Sequence, residues 1–218
     1  MHTISMPTRK MNGILANLSA KRPVFHSEAD FQHALARELQ LINSAASIRM
    51  GKQVATQGAR VHLDLLFQSP SEDIAIELKF KTKILKFSHA GEDYSLRDHR
   101  AQDFGRHDFI KDIQRLERYV QSHKGSEGFA ILLTNDQAYW SESRKADSLD
   151  SEFRIHEGRI LQGSVAWGSG ASDATKHKRA DPITLRGIYQ MYWSDYSSLG
   201  SGLGEQFRHV LVHIPEEP

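Results

Sequence analysis

Two short segments decide the fold of this chain: Val61-His62-Leu63-Asp64-Leu65-Leu66-Phe67 and Ile74-Ala75-Ile76-Glu77-Leu78-Lys79-Phe80. Each segment alternates with period two, which is typical of a strand that has one apolar face. The two segments are joined by residues 68–73, and we expect them to form an antiparallel hairpin. The rest of the fold is predicted outward from this hairpin.

The register of the hairpin predicts where its charged residues meet. If Phe67 lies opposite Ile74, then Asp64 lies opposite Glu77. Opposed side chains on one face of an antiparallel pair have Cβ atoms about 4.5–5.5 Å apart. Lys79 follows Glu77 by two residues and therefore projects from the same face. The sequence thus predicts two carboxylates and an ammonium group at one point of a sheet.

Composition bounds the class of protein. The chain has 218 residues, of which 39% are hydrophobic and 25% charged, as in an ordinary globular domain. The formal net charge is only +1, so any argument for nucleic-acid binding has to be local. The absence of cysteine excludes disulfides and thiolate metal sites. There is no apolar run long enough for a membrane span or a signal peptide, and we expect a cytoplasmic protein without membrane contact.

Apolar periodicity predicts the order of the remaining elements. Helices are expected within residues 1–23, from Ser27 to about Asn43 and over residues 105–123. Strands are expected over 49–57, 129–134, 153–166, 183–193 and 207–214, with a polar loop over 88–104. This order favours an α/β fold in which helices flank a mixed β-sheet.

The predicted domain organisation is a single domain of residues 1–218. Residues 1–24 form an N-terminal helical arm, and residues 25–136 form the core. Residues 137–218 form a β-rich C-terminal extension of the same sheet. There is no repeat or linker that would divide the chain into two domains.

The charged residues of the hairpin allow two interpretations. Glu77 and Lys79 alone are also consistent with an exposed strand face, but Asp64 shares its face with Leu66. An acid on such a face costs free energy unless it is paired or binds a cation. Glu28 lies on the apolar stripe of the helix that begins after Ser27. It is either a first-turn acid that the helix dipole favours or a side chain that the helix aims at the acids of the hairpin.

Oxygen ligands without cysteine favour Mg²⁺ or Mn²⁺. Mg²⁺ is usually held by one or two carboxylates together with substrate phosphate oxygens. Such an ion can polarise a phosphodiester and lower the pKa of an attacking water. Lys79 would orient that water or neutralise developing charge.

In its spacing, Asp64, twelve residues and then Glu77-Leu78-Lys79, preceded by a helix that bears Glu28, resembles the PD-(D/E)XK nucleases. The resemblance covers residues 25–136 and implies a restriction-endonuclease-like core with the order helix, three-stranded meander, helix and strand. It implies that Asp64 and Glu77 ligate the metal, that Lys79 assists the nucleophile, and that Glu28 is the acid from the first helix. Leu63 stands where many members have proline.

Further candidates lie on the second helix and after the hairpin. Asp112 and Arg115 are auxiliary site candidates, although a solvated helix face with ion pairs is the alternative for both. Basic residues that follow Lys79 are candidates for nucleic-acid phosphate contacts, with ordinary surface charge as the alternative. These basic residues are Lys81, Lys83 and Lys86.

The resulting expectation is a metal-dependent nuclease that acts on nucleic acid, DNA rather than RNA. A catalytically silent module that binds nucleic acid or protein is the alternative. A third interpretation is an effector linked to phage defence or a mobile element, whose activity needs a partner. The sequence leaves open whether the protein forms a homodimer.

Overall fold

The computed structural model describes residues 6–56, 59–143, 145 and 147–216. The first five residues of the predicted N-terminal arm, and the last residue of the strand expected over 49–57, lie outside this range. The helices are α1 (Met6–Lys21), α2 (Glu28–Ile42), α3 (Gln102–Ser122) and the single turn α4 (Asp173–Lys176), with a 3₁₀ turn at Ser151–Phe153.

Ten strands accompany these helices in the described chain. They are β1 (Ser47–Thr56), β2 (Ala59–Gln68), β3 (Asp73–Lys81), β4 (Leu85–His89), β5 (Glu92–Leu96), β6 (Ser126–Thr134), β7 (Ile160–Val165), β8 (Ile183–Gln190), β9 (Trp193–Ser198) and β10 (Gln206–Ile214). Six of them form one sheet in the order β1-β2-β3-β6-β10-β9. Only β3 and β6 run parallel, which makes the sheet mixed, as predicted.

The predicted hairpin register is confirmed where β2 and β3 pair, because Phe67 lies opposite Ile74 and Leu65 opposite Ile76. The β3–β6 connection passes through α3, since parallel neighbours need a crossover. The α/β architecture with helices flanking a mixed sheet therefore follows from the patterns in the sequence.

Each face of the sheet is covered by a different set of elements. On one face, α2 packs on alternate residues of β3, among them Ile76, Leu78 and Phe80, and α1 packs on α2, β9 and β10. On the other face, α3 packs on Ala75 of β3 and on Ala130 and Leu132 of β6. The central strand β6 is buried along nearly its whole length, as expected for a strand that is covered on both faces.

The start of α2 has a direct cause in the sequence. Ser27 adopts an extended conformation, and its side chain accepts a hydrogen bond from the backbone N–H of Asp30. Ser27 thereby satisfies one of the free N–H groups of the first turn. The helix then buries Phe31, Leu35 and Leu39 against the sheet. Glu28, the first helical residue, is held at the same end of the sheet as the end of β3.

Three predictions about the fold are wrong in part. The strand expected over 153–166 is formed only from Ile160 to Val165, because a 3₁₀ turn ends at Phe153 and the chain between them is irregular. Residues 88–104 do not form a loop throughout, because β4 and β5 pair as a small hairpin that buries Tyr94 and Leu96. The C-terminal extension also does not lie wholly in the main sheet. Strands β9 and β10 extend that sheet, whereas β7 and β8 form a separate pair that packs with α3 in the apolar cluster on that face.

In the described part of the chain, no helix combines the length and apolar character that crossing a membrane requires.

Candidate active site

The site begins where β2 separates from β3. Their paired ladder ends at Leu65 and Ile76, one position before Asp64 and Glu77, so these two acids do not form the ladder pair that the sequence predicts. The Asp64 carboxylate instead accepts a hydrogen bond of 2.7 Å from the backbone N–H of Leu78. Asp64 is thereby fixed beside the strand that carries Glu77.

Glu28, on α2, contacts the part of β3 that β2 leaves unpaired. Its carboxylate accepts a hydrogen bond of 2.8 Å from the backbone N–H of Phe80, two residues beyond Leu78. Backbone groups two residues apart in a strand are about 7 Å apart. The structure therefore places the carboxylates of Glu28 and Asp64 next to each other along β3. This agrees with the interpretation in which the helix aims Glu28 at the acids of the hairpin.

The face of β3 that meets α3 completes the cluster. Lys79 Nζ lies 2.5 Å from Asp112 Oδ2, and Arg115 Nη1 lies 2.9 Å from Glu77 Oε1. Arg115 Nη1 also lies 2.9 Å from Asp112 Oδ1, one helical turn away. The solvated-face interpretation of Asp112 is wrong, because this residue is only 3% exposed and lies against the sheet.

The electrostatics of Glu77 are unusual for a glutamate. It is 1% exposed. Burial, together with the negative charges of Asp112 and Asp64, raises its pKa to about 9 against the opposing effect of Arg115. Glu77 Oε1 also has no well-aligned hydrogen bond, despite its short distance to Arg115. Glu77 is therefore a buried acid that keeps its proton at neutral pH.

Lys79 has the opposite electrostatic character. Burial lowers the pKa of Lys79, but the charge and hydrogen bond of Asp112 outweigh burial, and Glu28 and Asp64 add to them. The net effect raises the pKa of Lys79 above its ordinary value, so its ammonium group is fully charged at neutral pH. Lys79 also donates a hydrogen bond of 3.1 Å to the carbonyl of Leu78.

A formal charge count shows what the cluster lacks. With every group ionised, the four carboxylates of Glu28, Asp64, Glu77 and Asp112 and the two cations of Lys79 and Arg115 give a formal charge of −2. Protonation of Glu77, whose pKa is raised to about 9, reduces this count to −1 at neutral pH. Oxygen donors and this charge fit a hard divalent cation such as Mg²⁺ or Mn²⁺. Asp112 already has Lys79 as a partner, and Glu77 already has Arg115. These ion pairs argue against a divalent cation at the same carboxylates. Among the described residues, no three acids or histidines stand in a ready metal-binding arrangement.

The three lysines beyond Lys79 differ from one another. Lys81 is partly buried at the end of β3, and Lys86 is exposed on β4. Lys83 Nζ lies 3.4 Å from Asp98 and 3.7 Å from Asp136, so these acids already offset its charge. Lys81 and Lys86 thus remain better placed than Lys83 for phosphate contacts.

Sequence patterns gave no indication of two residues at this site. Gln32, one turn after Glu28 on α2, donates a hydrogen bond of 2.5 Å to the carbonyl of Asp64. His99 accepts a hydrogen bond of 3.0 Å from the N–H of Thr82, and burial and Lys81 lower its pKa while Glu28 raises it. The helical spacing from Glu28 is a signal that identifies Gln32 in retrospect, but His99 lies in a segment without periodicity.

Comparison of the chain with protein-family models, with curated proteins and with solved structures finds no match.

Proposed function

We propose that this protein is a metal-dependent nuclease that hydrolyses phosphodiester bonds of nucleic acid, DNA rather than RNA. The observation that carries the proposal is the convergence of Glu28, Asp64, Glu77 and Lys79 at the point where β2 leaves β3. The order α2, three-stranded meander, α3 and β6 further supports a restriction-endonuclease-like core of the PD-(D/E)XK type.

Asp64 and Glu77 would hold a Mg²⁺ or Mn²⁺ ion, and Glu28 would complete the acidic cluster. When bound, the cation would polarise the phosphodiester and lower the pKa of the attacking water. Asp64 commits one oxygen to the backbone of Leu78, which fixes the orientation of its carboxylate before any ligand arrives. This preorganisation supports a role in binding rather than in packing alone.

Lys79 acts as a charged group rather than as a general base. Because its pKa is raised above the ordinary value, it does not take up a proton at neutral pH. It instead orients the nucleophile and stabilises the negative charge that develops on the phosphoryl oxygens. Asp112, at 2.5 Å, positions the ammonium group for this role.

Arg115 is the residue that would exchange partners when substrate binds. Its side chain is 28% exposed, whereas the Glu77 side chain that it contacts is 1% exposed. A partly exposed guanidinium can turn toward a phosphate, which it binds with two parallel hydrogen bonds. Lys81 and Lys86 would contact phosphates further along the strand.

A catalytically silent binding module is the second candidate function, and one observation favours it. Glu77 and Asp112 are already paired with Arg115 and Lys79, which is also how a purely structural charge network is arranged. Binding that needs no divalent cation, without cleavage, would identify this alternative.

A nuclease assay tests the proposal on plasmid, linear and single-stranded DNA and on RNA, with Mg²⁺, Mn²⁺ or EDTA. We expect cleavage that requires the cation and is lost in Asp64→Asn and Lys79→Ala. Asn is chosen because it still accepts the Leu78 N–H, so the local fold is kept. Lys111→Ala, an exposed lysine on α3, is the control and should cut like the parent. Cleavage by both site variants at the parental rate would refute the assignment.

A further inference from the structure

A second polar cavity lies beside the 3₁₀ turn, outside the candidate active site. Its volume is about 310 Å³, at the lower end of the range for small-ligand pockets. Basic residues that line it are Lys145, Arg154, His156 and Arg159, and the acids Glu142 and Glu152 also line it. None of these belongs to the cluster around Glu77.

Arg159 is the most informative residue of this cavity. Within the described ranges, its guanidinium makes no ion pair, and its Nε is buried without a hydrogen-bond partner. A guanidinium carries five N–H donors and cannot lose its charge in a protein. A buried donor without an acceptor costs about 1–3 kcal/mol. The chain therefore leaves the Nε donor of Arg159 without an acceptor, on a side chain that is otherwise partly exposed.

Arg154 is only partly satisfied by the chain. Its Nη2 donates to Ser148 Oγ at 2.9 Å and to Asp150 Oδ1 at 3.0 Å, while its Nε is buried without a partner. Asp150 is shared, because Arg106 Nη1 lies 2.6 Å from its second oxygen. One carboxylate thus serves two guanidiniums, which leaves donors of Arg154 for a ligand.

His156 lies close to the arginines of the cavity, whose charges affect its pKa. Burial lowers the pKa of His156, and the charges of Arg159, Arg154 and Arg106 lower it further against the opposing effect of Glu142. Its Nδ1 is buried without a hydrogen-bond partner in the described structure. The charged groups around this imidazole are therefore three guanidiniums and one carboxylate, that of Glu142, which has the largest single effect of the four.

The two acids of the cavity do not remove this deficit. Glu152 is engaged elsewhere, because its Oε2 accepts a hydrogen bond of 2.5 Å from the backbone N–H of Ala166. Glu142 is exposed and lies at the surface. Neither acid forms an ion pair with Arg154 or Arg159 among the contacts of the described residues.

We propose that this cavity binds a phosphate group, with Arg159 and Arg154 as the principal donors and His156 as a third. A tetrahedral oxyanion presents acceptors in several directions, which suits donors that come from three side chains. A carboxylate offers two oxygens in one plane and serves such a set less well. The phosphate comes either from a free phosphate or mononucleotide or from a nucleic-acid backbone; only this last source rests on the proposed function.

Isothermal titration with inorganic phosphate and with dAMP tests the site, with sodium chloride and sodium acetate at equal ionic strength as references. We expect phosphate binding in the parent that weakens about tenfold or more in Arg159→Ala, since a charged hydrogen bond is lost. Arg159→Gln, which keeps a polar side chain, provides the same test should the alanine variant fail to fold. Arg37→Ala, exposed on α2, is the matched control and should bind like the parent.

Three results would overturn the proposal. The first is a parent that binds phosphate no better than acetate or chloride. The second is parental phosphate affinity in folded Arg159→Ala and Arg159→Gln. The third is loss of phosphate binding in Lys79→Ala with retention in Arg159→Ala, because the phosphate would then occupy the candidate active site.

A DNA-binding arm then distinguishes the two sources of phosphate. It is carried out in the Lys79→Ala background, so that cleavage does not interfere. If the cavity holds a backbone phosphate, Arg159→Ala reduces the slope of log affinity against log salt by about one relative to Arg37→Ala. An unchanged slope, with phosphate binding lost in Arg159→Ala, assigns the cavity to free phosphate or a mononucleotide. Because phosphate titration needs no nuclease activity, failure of the proposed function leaves the phosphate site testable.

Discussion

Glu77 on β3 and Glu117 on α3 are both buried glutamates, and their surroundings differ. Glu117 lies on α3 and faces β8, where its Oε1 accepts hydrogen bonds from the N–H groups of Arg186 and Gly187 and from the hydroxyl of Tyr189. Glu77 has Arg115 as its close partner, with two further acids nearby. Neutral donors converge on Oε1 of Glu117, although its Oε2 is buried without a hydrogen-bond partner, whereas acids lie around Glu77. Only the surroundings of Glu77 are those that the proposed cation site requires.

The largest expected effect is on activity in Glu77→Gln. Substitutions of groups that merely support a metal ligand cost about 10–100-fold, so loss of a ligand should cost at least about 100-fold. Stability at pH 7 should not fall, because the raised pKa keeps Glu77 largely protonated without metal. Activity is measured as initial rates at saturating Mg²⁺, and stability by urea denaturation in EDTA. Parental rates in Glu77→Gln would show that Glu77 is not a ligand.

Glu117→Ala should have the reverse profile. It removes the carboxylate that accepts hydrogen bonds from two partly buried backbone N–H groups and from the buried Tyr189 hydroxyl. Each such group costs about 1–3 kcal/mol, so we expect a loss of about 3 kcal/mol or more in the free energy of unfolding. Below the unfolding transition, the specific activity should stay near that of the parent. A stable variant that is inactive would remove the contrast between the two glutamates.

The pH dependence of stability should distinguish the two acids more finely. The pKa of Glu77 is raised from 4.5 to about 9, so between these values the folded protein binds a proton that the unfolded chain has released. The free energy of unfolding in EDTA should therefore fall as pH rises through this window, by at most about 1.4 kcal/mol per pH unit. Glu77→Gln should lack this component, and saturating Mg²⁺ should reduce it. A parent and variant with the same pH profile would contradict the raised pKa.

The smallest expected effect is at the start of α2. Ser27→Ala removes the cap that precedes Glu28 and should cost about 1 kcal/mol of stability. Fraying of the first turn should also lower the cleavage rate by weakening the hold on Glu28. Ser27→Asp, which can still cap the helix, should restore both. Circular dichroism melts and initial rates measure the two effects.

The sequence indicated much of the site because strand and helix periodicities act locally. Period two along β3 placed Glu77 and Lys79 on one face, and period 3.6 along α2 aimed Glu28 at the sheet. Asp112 was harder to assign, since the face of a helix that is buried depends on what packs there. The separate β7–β8 pair was not predictable either, because nothing within those strands specifies which surface they cover.

The detail that the sequence did not predict is the end of the β2–β3 ladder before Asp64. The alternation of apolar and polar residues predicts that β2 and β3 stay paired beyond Leu65. The sequence of β2 contains no signal that the pairing ends there. The separation depends on carboxylates of Asp64 and Glu28 that take over the N–H groups of Leu78 and Phe80. Such a substitution of side chain for backbone is a tertiary effect, which a local pattern does not contain.

The use of side-chain carboxylates as acceptors for backbone N–H groups also bears on which residues related chains would conserve. Asp64 and Glu28 accept hydrogen bonds from the unpaired N–H groups of β3 and so stabilise the fold. A related chain without catalytic activity would therefore still be expected to keep both residues. Among the described contacts, the Glu77 side chain makes no hydrogen bond to the main chain, and that of Lys79 bonds only to the carbonyl of its neighbour Leu78. Under the proposed function, loss of Glu77 would therefore indicate loss of activity in a related chain more clearly than loss of Asp64 or Glu28 would.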